Sequence, residues 1–231
     1  PTDPLTVYAG GINIHKSNNG GDAWEQISSW RDPNSDPAPY VHADQHAIAF
    51  RPGVSNTFIV GNDGGVHITT DAGDTFTSKN SGYNVTQFFS VALHPAAGTN
   101  DFLAGSQDNG TQKFESATGI VNTTEVTGGD GAFTFIDQDN ATLSITSYIY
   151  NNYYVNTDGW AHLMDNSYII SSSRLKSGRF INPSDYDNNN NILYAVSGVD
   201  SIRFVSGFTG TNPNLSEGFW ENTALNGKAS H

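Results

Sequence analysis

The sequence predicts an all-β fold assembled from repeated four-stranded antiparallel units, and three observations carry that expectation. Apolar and polar residues alternate in short runs bounded by Gly, Pro, Asn and Asp, while helical periodicity is nowhere sustained. Second strands of a repeated phrase begin near residues 6, 57, 101, 142 and 192, a spacing of roughly 40 to 50. An octet recurs in phase with that phrase: Ser17-x-Asn19-x-Gly21-x-Ala23-Trp24, then Thr69-x-Asp71-x-Gly73-x-Thr75-Phe76.

Each phrase runs from an apolar strand through a polar turn, a second strand, a Gly-rich turn and a third strand to the octet or its remnant and a closing strand. Such units need neighbours to bury both faces, and stacked around an axis they make a β-propeller, with strand A innermost and D outermost. The first unit (residues 1–30) lacks an A strand: 6–10 is B, 12–17 is C and 24–28 is D. A polar loop with Pro33, Pro37 and Pro39 leads on. The second (41–80) takes 46–50, 57–61, 66–70 and 76–78 as A to D. The third (84–127) takes 87–94, 101–106, 111–115 and 122–126, its octet decayed to SATGIVNT. The fourth (130–166) takes 132–137, 142–147, 153–156 and 161–164, with Asn156-Thr157-Asp158-Gly159 as its turn. The fifth (176–222) takes 177–181, 192–196, 201–205 and 219–221. One propeller domain or fragment over 1–231 is expected. The missing A strand and the start at Pro1 are read as a piece cut from a larger ring.

The octet has a mechanical reading. A hydroxyl at its first position and a carboxylate or amide at its third can bond backbone N–H groups of their own turn, while glycine takes a backbone geometry that a side chain would penalise. The closing aromatic is expected in the apolar layer between sheets, where truncation costs about 3 to 5 kcal/mol. Trp24 and Phe76 are therefore expected as core staples.

These residues resemble the Asp-box, or bacterial neuraminidase repeat, with Asn19 replacing the usual Asp. Their surroundings resemble the propellers of sortilin-like proteins and of xyloglucanase-type glycoside hydrolases. The resemblance implies that Ser17, Asn19, Gly21, Trp24, Thr69, Asp71, Gly73 and Phe76 are scaffold. It also implies that ligands meet the opposite face, where D-to-A and B-to-C loops open.

Composition narrows the partners. With 23 acidic against 10 basic residues the formal charge is −13, which repels phosphate backbones and anionic lipid. Nucleic-acid binding and membrane insertion are not expected, and no apolar run has transmembrane length. Absence of cysteine excludes disulfides, thiol catalysis and zinc-thiolate sites. Richness in Asn, Gly, Thr and Ser with scarce Lys suits an extracellular or bacterial cell-surface protein. Five Asn-x-Ser/Thr sequons, at Asn84, Asn109, Asn122, Asn140 and Asn214, could accept glycans.

The expected ligand-side loops are acidic and glycine-rich. Extended backbone alternates faces, so His42, Asp44 and His46 would share one, as a metal triad or acid/base pair or as polar residues lining a wet channel. Asn62 and Asp63, Gln107, Asp108 and Asn109, and Asp130 sit among glycines. Each carboxylate could cap its own turn, or the group could ring the channel mouth and hold Ca²⁺ or sugar hydroxyls. Asp185, Asp187 and Asn189 alternate like a calcium loop, but without its mid-loop Gly and closing Glu. Tyr148, Tyr150, Tyr153, Tyr154 and Trp160 could stack on sugars or fill space between blades.

Two functions follow. A propeller binding glycan or protein at a cell surface needs no cofactor, with Ca²⁺ as an option and a polysaccharide or surface protein as partner. The alternative, which the xyloglucanase resemblance implies, is an endo-acting glycoside hydrolase on β-glucan using two of Asp44, Asp63, Asp108 and Asp130. An inverting pair would be about 6.5 to 9.5 Å apart.

Overall fold

The computed structural model describes residues 3–31, 34–83, 85–118, 123–162, 167–173, 177–208 and 214–221. Their regular structure is entirely β: five antiparallel sheets whose strands are paired in chain order. The first sheet holds β1 (Val7–Gly10), β2 (Ile14–Ser17) and β3 (Glu25–Gln26). The second holds β4 (Gln45–Phe50), β5 (Phe58–Asn62), β6 (Gly65–Thr69) and β7 (Thr77–Ser78). The third is β8 (Ser90–Leu93), β9 (Phe102–Gly105), β10 (Thr111–Phe114) and β11 (Thr124–Thr127). The fourth is β12 (Thr134–Ile136), β13 (Ser144–Ser147), β14 (Tyr153–Asn156) and β15 (Ser167–Ile170). The fifth is β16 (Ser184–Asp187), β17 (Ile192–Val196), β18 (Ser201–Ser206) and β19 (Ser216–Glu221).

The chain forms two compact units, Pro1–Val85 and Thr86–His231. In the first, Ile14, Val41, Phe58 and Val60 are buried, and Tyr8, Phe50 and Phe76 pack on them. Phe58 centres this seam, 4.9 Å from Tyr8, 5.0 Å from Phe50 and 6.1 Å from Phe76 between ring centroids. In the second, Leu143, Ile145, Tyr153, Val155, Leu193 and Val205 fill the space between the fourth and fifth sheets. Leu103, Val126 and Trp160 do the same between the third and fourth. The third and fourth sheets are also stitched by Ser90 Oγ, which donates to Ala132 O at 2.9 Å and accepts from Thr134 N at 2.8 Å.

Both octet turns are built as their chemistry predicts. Thr69 Oγ1 donates to Asp71 Oδ1 at 2.7 Å and accepts from Gly73 N at 3.0 Å; Asp71 Oδ1 then accepts from Thr75 N at 2.9 Å. Ser17 and Asn19 repeat the set, with Ser17 Oγ accepting from Gly21 N at 2.9 Å and Asn19 Oδ1 from Ala23 N at 2.9 Å. Gly21 and Gly73 share a positive φ, 103° and 100°, which L side chains avoid. The Asp71 carboxyl is held down to about 2, first by the Thr75 hydroxyl, which donates to Oδ2 at 2.6 Å, and next by Thr69.

Three expectations are corrected. Trp24 is 45 % exposed and is no core staple, whereas Phe76 packs half-buried. Register gives the reason. Phe76 rests on Phe58, which pairs across from Thr69, but the residue across from Ser17 is Val7, too small to fill the seam and itself 36 % exposed. The fourth sheet closes with Ser167–Ile170 rather than a strand at 161–164, of which residues 163 and 164 lie outside the described residues. The fifth sheet opens with Ser184–Asp187 rather than 177–181. There the chain is irregular because buried Asn182 donates to Asn151 Oδ1, Tyr153 OH and Val196 O, Gly178 takes φ 83°, and Pro183 follows.

Candidate functional site

The acidic loops of the first unit come together around the hairpin of β5 and β6. Asn62 pairs with Gly65, so Asp63 and Gly64 alone make the turn. Asn80 pins it from outside: its Nδ2 donates to Gly64 O at 2.7 Å and its Oδ1 accepts from Val66 N at 2.8 Å. Asn62 Oδ1 accepts from Gly64 N at 3.1 Å. A turn bonded on both flanks holds the Asp63 carboxylate at a fixed height.

His46 reaches that carboxylate. Pairing of β4 with β5 slips between Gln45 and Ala47, leaving His46 as the extra residue of a bulge, and bulges re-aim side chains. Its Nε2 meets Asp63 Oδ1 at 2.5 Å, with the imidazole 65 % and the carboxylate 27 % exposed. Asp44 precedes the strand in the left-handed region, φ 63°, its N–H on Ile12 O at 3.2 Å. The carboxylate oxygens of Asp44 and Asp63 lie within 4.8 Å of one another. This pair could hold a divalent cation, oxygen ligands being what Ca²⁺ takes.

The expectation that His42, Asp44 and His46 share one strand face is corrected. Only His46 lies in β4, and the left-handed residue at Asp44 breaks the alternation before it. His42 instead packs against Gly64, where an added Cβ would overlap its ring, and its carbonyl accepts from Gln45 Nε2 at 2.5 Å. Beneath lies His67, 5 % exposed, whose pKa is lowered by burial and then by His42. Its Nδ1 faces Asn62 Nδ2 at 3.4 Å. A neutral His67 therefore adds no charge under the acidic pair.

In the second unit the Asp130 carboxylate ties two loops together. Its Oδ1 accepts from Asp108 N at 3.2 Å, in the neighbouring loop rather than in its own turn, with Asp108 at φ 63°. Asn109 Nδ2 donates to Gln107 O at 3.3 Å and Asn109 O accepts from Gln112 Nε2 at 2.8 Å, leaving Gln107 exposed. Asp185 lies in β16, and the Asp187 carboxylate closes its own turn on Asn189 N and Asn190 N at 2.9 and 3.2 Å. Bonding to Asn190 lowers the Asp187 pKa. A carboxylate so engaged is a turn cap, and Asn189 contributes its N–H to it. Tyr153 is fully buried and Trp160 nearly so, which makes both core rather than sugar platforms.

Sequence reasoning missed Asn80 and Gln45, whose roles depend on strand pairing across 14 to 17 residues, and His67, which meets Asn62 across the β5–β6 hairpin five residues away. It also missed a third turn of octet geometry. Asn156 Oδ1 accepts from Asp158 N at 3.0 Å and Trp160 N at 2.8 Å, and Asp158 meets His162 Nδ1 at 3.1 Å. Those offsets are the ones Thr69, Asp71, Gly73 and Thr75 use, with Trp160 standing where glycine stood.

No family model and no curated protein matches the chain. Among solved structures it is similar to an ancestral GH74 enzyme at 19 % identity over 93 % of this chain and 29 % of that one, TM-score 0.39. The Niastella koreensis GH74 enzyme gives 18 % identity, 93 % and 36 % coverage and TM-score 0.43. YCF48 bound to D1 peptide gives 13 %, 92 % and 64 %, and 0.36. The chain thus spans between 29 and 64 % of the length of these structures, a distant and partial resemblance to propeller-fold proteins. No helix among the described residues is long and apolar enough to cross a membrane.

Proposed function

We propose that the chain is a run of Asp-box β-propeller blades acting outside the cell, at a bacterial surface or in its medium, as a carbohydrate-directed module. The observation that carries this reading is the fixed Asp44–Asp63 carboxylate pair with His46 on Asp63. Carboxylates and an imidazole on a rigid turn suit the donors and acceptors of sugar hydroxyls, directly or through Ca²⁺. The formal charge of −13 disfavours nucleic acid as the polymer recognised.

Glycan-array binding with and without Ca²⁺, followed by calorimetry on the best ligand, tests it. Asp63→Ala should abolish binding while leaving the β-sheet circular dichroism unchanged. Undiminished binding by that variant would refute this site.

A hydrolase is the second reading, favoured by the same two carboxylates. Oxygens within 4.8 Å leave no room for the water that an inverting enzyme places across a gap of about 6.5 to 9.5 Å, so this pair would suit only a nucleophile and acid/base arrangement. Reducing-sugar release from a β-glucan, lost in both Asp44→Ala and Asp63→Ala, would decide for catalysis.

A further inference from the structure

The fifth sheet, in the second unit, buries one face and leaves the other open. Leu193, Ala195 and Val205 face the fourth sheet and are buried there. Register fixes what the opposite face carries, because residues paired across strands share a side. Tyr194 lies across from Asp185 and from Phe204, and Phe204 across from Gly218. Ile202 lies across from Val196 and from Trp220. A further row runs Asp187, Ile192, Ser206, Ser216. Ile202 is 39 % exposed and Trp220 55 %, so this face is open to solvent.

The open face is an aromatic plate. Gly218 lets the Phe204 ring lie over β19, since an added Cβ there would overlap that ring. Trp220 then meets Phe204 at 4.9 Å and Tyr194 at 5.5 Å between centroids, with planes 36° and 30° apart. Three strands thus share one continuous run of rings. An exposed apolar patch with a polar rim marks an interaction surface, and Trp and Tyr are the side chains that anchor protein interfaces.

We propose that this face docks on the same face of a second copy of the chain, making a two-fold dimer. The formal charge of −13 disfavours anionic lipid and nucleic acid as occupants. A polysaccharide needs partners for its hydroxyls, and Ile192, Val196, Ile202 and Phe204 at the centre of the face supply none. A flat apolar face suits another flat apolar face, which is how this chain already packs its fourth sheet on its fifth. Area sets the strength. Four strands about 4.8 Å apart and about six residues long at about 3.3 Å each present about 400 Å². Two copies together bury about 800 Å², the small end for a specific interface, so the dimer is weak and reversible. Charge sets the orientation. Asp185 and Asp187 carry the charge of this face, and both lie on the edge strand β16. A two-fold axis along the strands lays β16 of each copy over β19 of the other, bringing Asp187 opposite the second copy's Ser216, at the far end of the same row. The two acidic edges then stand at least about 14 Å apart, beyond the screening length of about 8 Å at physiological salt.

Sedimentation velocity on the chain from about 1 to 100 μM should show a monomer giving way to a dimer. Ile202→Lys, a change at an exposed position, should weaken association about tenfold or more and leave the β-sheet circular dichroism unchanged. Ser216→Lys sets an ammonium opposite the second copy's Asp187 and should tighten the dimer about fivefold at low salt, through two exposed ion pairs, with the gain lost at high salt. A monomer at every concentration, association untouched by Ile202→Lys, or a weaker dimer in Ser216→Lys would overturn the proposal. Cellohexaose bound by a monomer and released by Trp220→Ala would overturn it in favour of a sugar on the same plate.

Discussion

Replacing Phe58 by Ala should destabilise the first unit far more than replacing Trp24 by Ala, although the sequence gives the larger ring to position 24. Phe58 is 1 % exposed and touches Tyr8, Phe50 and Phe76, so its removal opens a void that three rings in different strands and turns cannot jointly close. Such a change costs about 3 to 5 kcal/mol. Trp24 is 45 % exposed and leaves no enclosed void. Full burial of a large apolar side chain is worth about 1.5 to 3 kcal/mol, so about half of that, near 1 kcal/mol, is at stake. With a urea dependence of about 2 kcal/mol per molar, the midpoint should fall by about 1.5 to 2.5 M for Phe58→Ala and about 0.5 M for Trp24→Ala. Urea unfolding followed by circular dichroism reads both. Equal shifts, or a larger one for Trp24→Ala, would refute the argument that sheet register at Val7 and Phe58 decides which aromatic is core.

Asp71 has a folded pKa of about 2 against an ordinary 3.8, so its contribution to stability is complete above 3.8 and is lost as pH falls through about 2. Asp71→Asn keeps the Oδ1 acceptor that Asn19 uses in the first turn and should flatten this acid limb; a carboxyl signal titrating near 3.8 by NMR would contradict it. Arg203, 2 % exposed, donates to Glu217, Asn151 O and Ser171 O at 2.7, 2.7 and 2.9 Å. Arg203→Ala should cost about 3 to 5 kcal/mol, with Arg203→Lys only partly restoring it because an ammonium lacks the planar fork, as thermal unfolding would show. Gly64→Ala should displace His42 and disturb the Asp63 turn, lowering the melting temperature and, if the proposed glycan binding holds, weakening it in calorimetry as well. Trp160→Gly should destabilise by about 2 kcal/mol in urea unfolding, since the lost burial of about 3 to 5 exceeds the strain of about 1 to 3 released at φ 60°.

Strand identity was legible wherever alternation and turn chemistry agreed. Phe58–Asn62 and Gly65–Thr69 stand on an apolar alternation closed by a self-bonded turn, and both local signals point the same way. The opening of the fifth sheet was not legible, because residues 177–183 are fixed by Asn182 reaching Asn151, Tyr153 and Val196, contacts that no window of sequence contains. At the candidate site, Asp63 could be read from its glycine turn. The bulge that delivers His46 to it could not, since a bulge is a property of two strands and only one is in view at a time.

The three octet turns show how the scaffold was free to change. What the geometry demands at the first position is an acceptor for the N–H two and four residues on, and Ser17, Thr69 and Asn156 all supply one. The fifth position demands a positive φ, which glycine meets at no cost in two turns and Trp160 meets at a cost of about 1 to 3 kcal/mol in the third. That cost is sustained only because the indole enters the core between the third and fourth sheets, beside Leu103 and Val126, and recovers more by burial than the backbone loses. The glycine of the octet is thus a default and not a requirement: where a neighbouring sheet offers a cavity, the same turn can deliver a large aromatic into it.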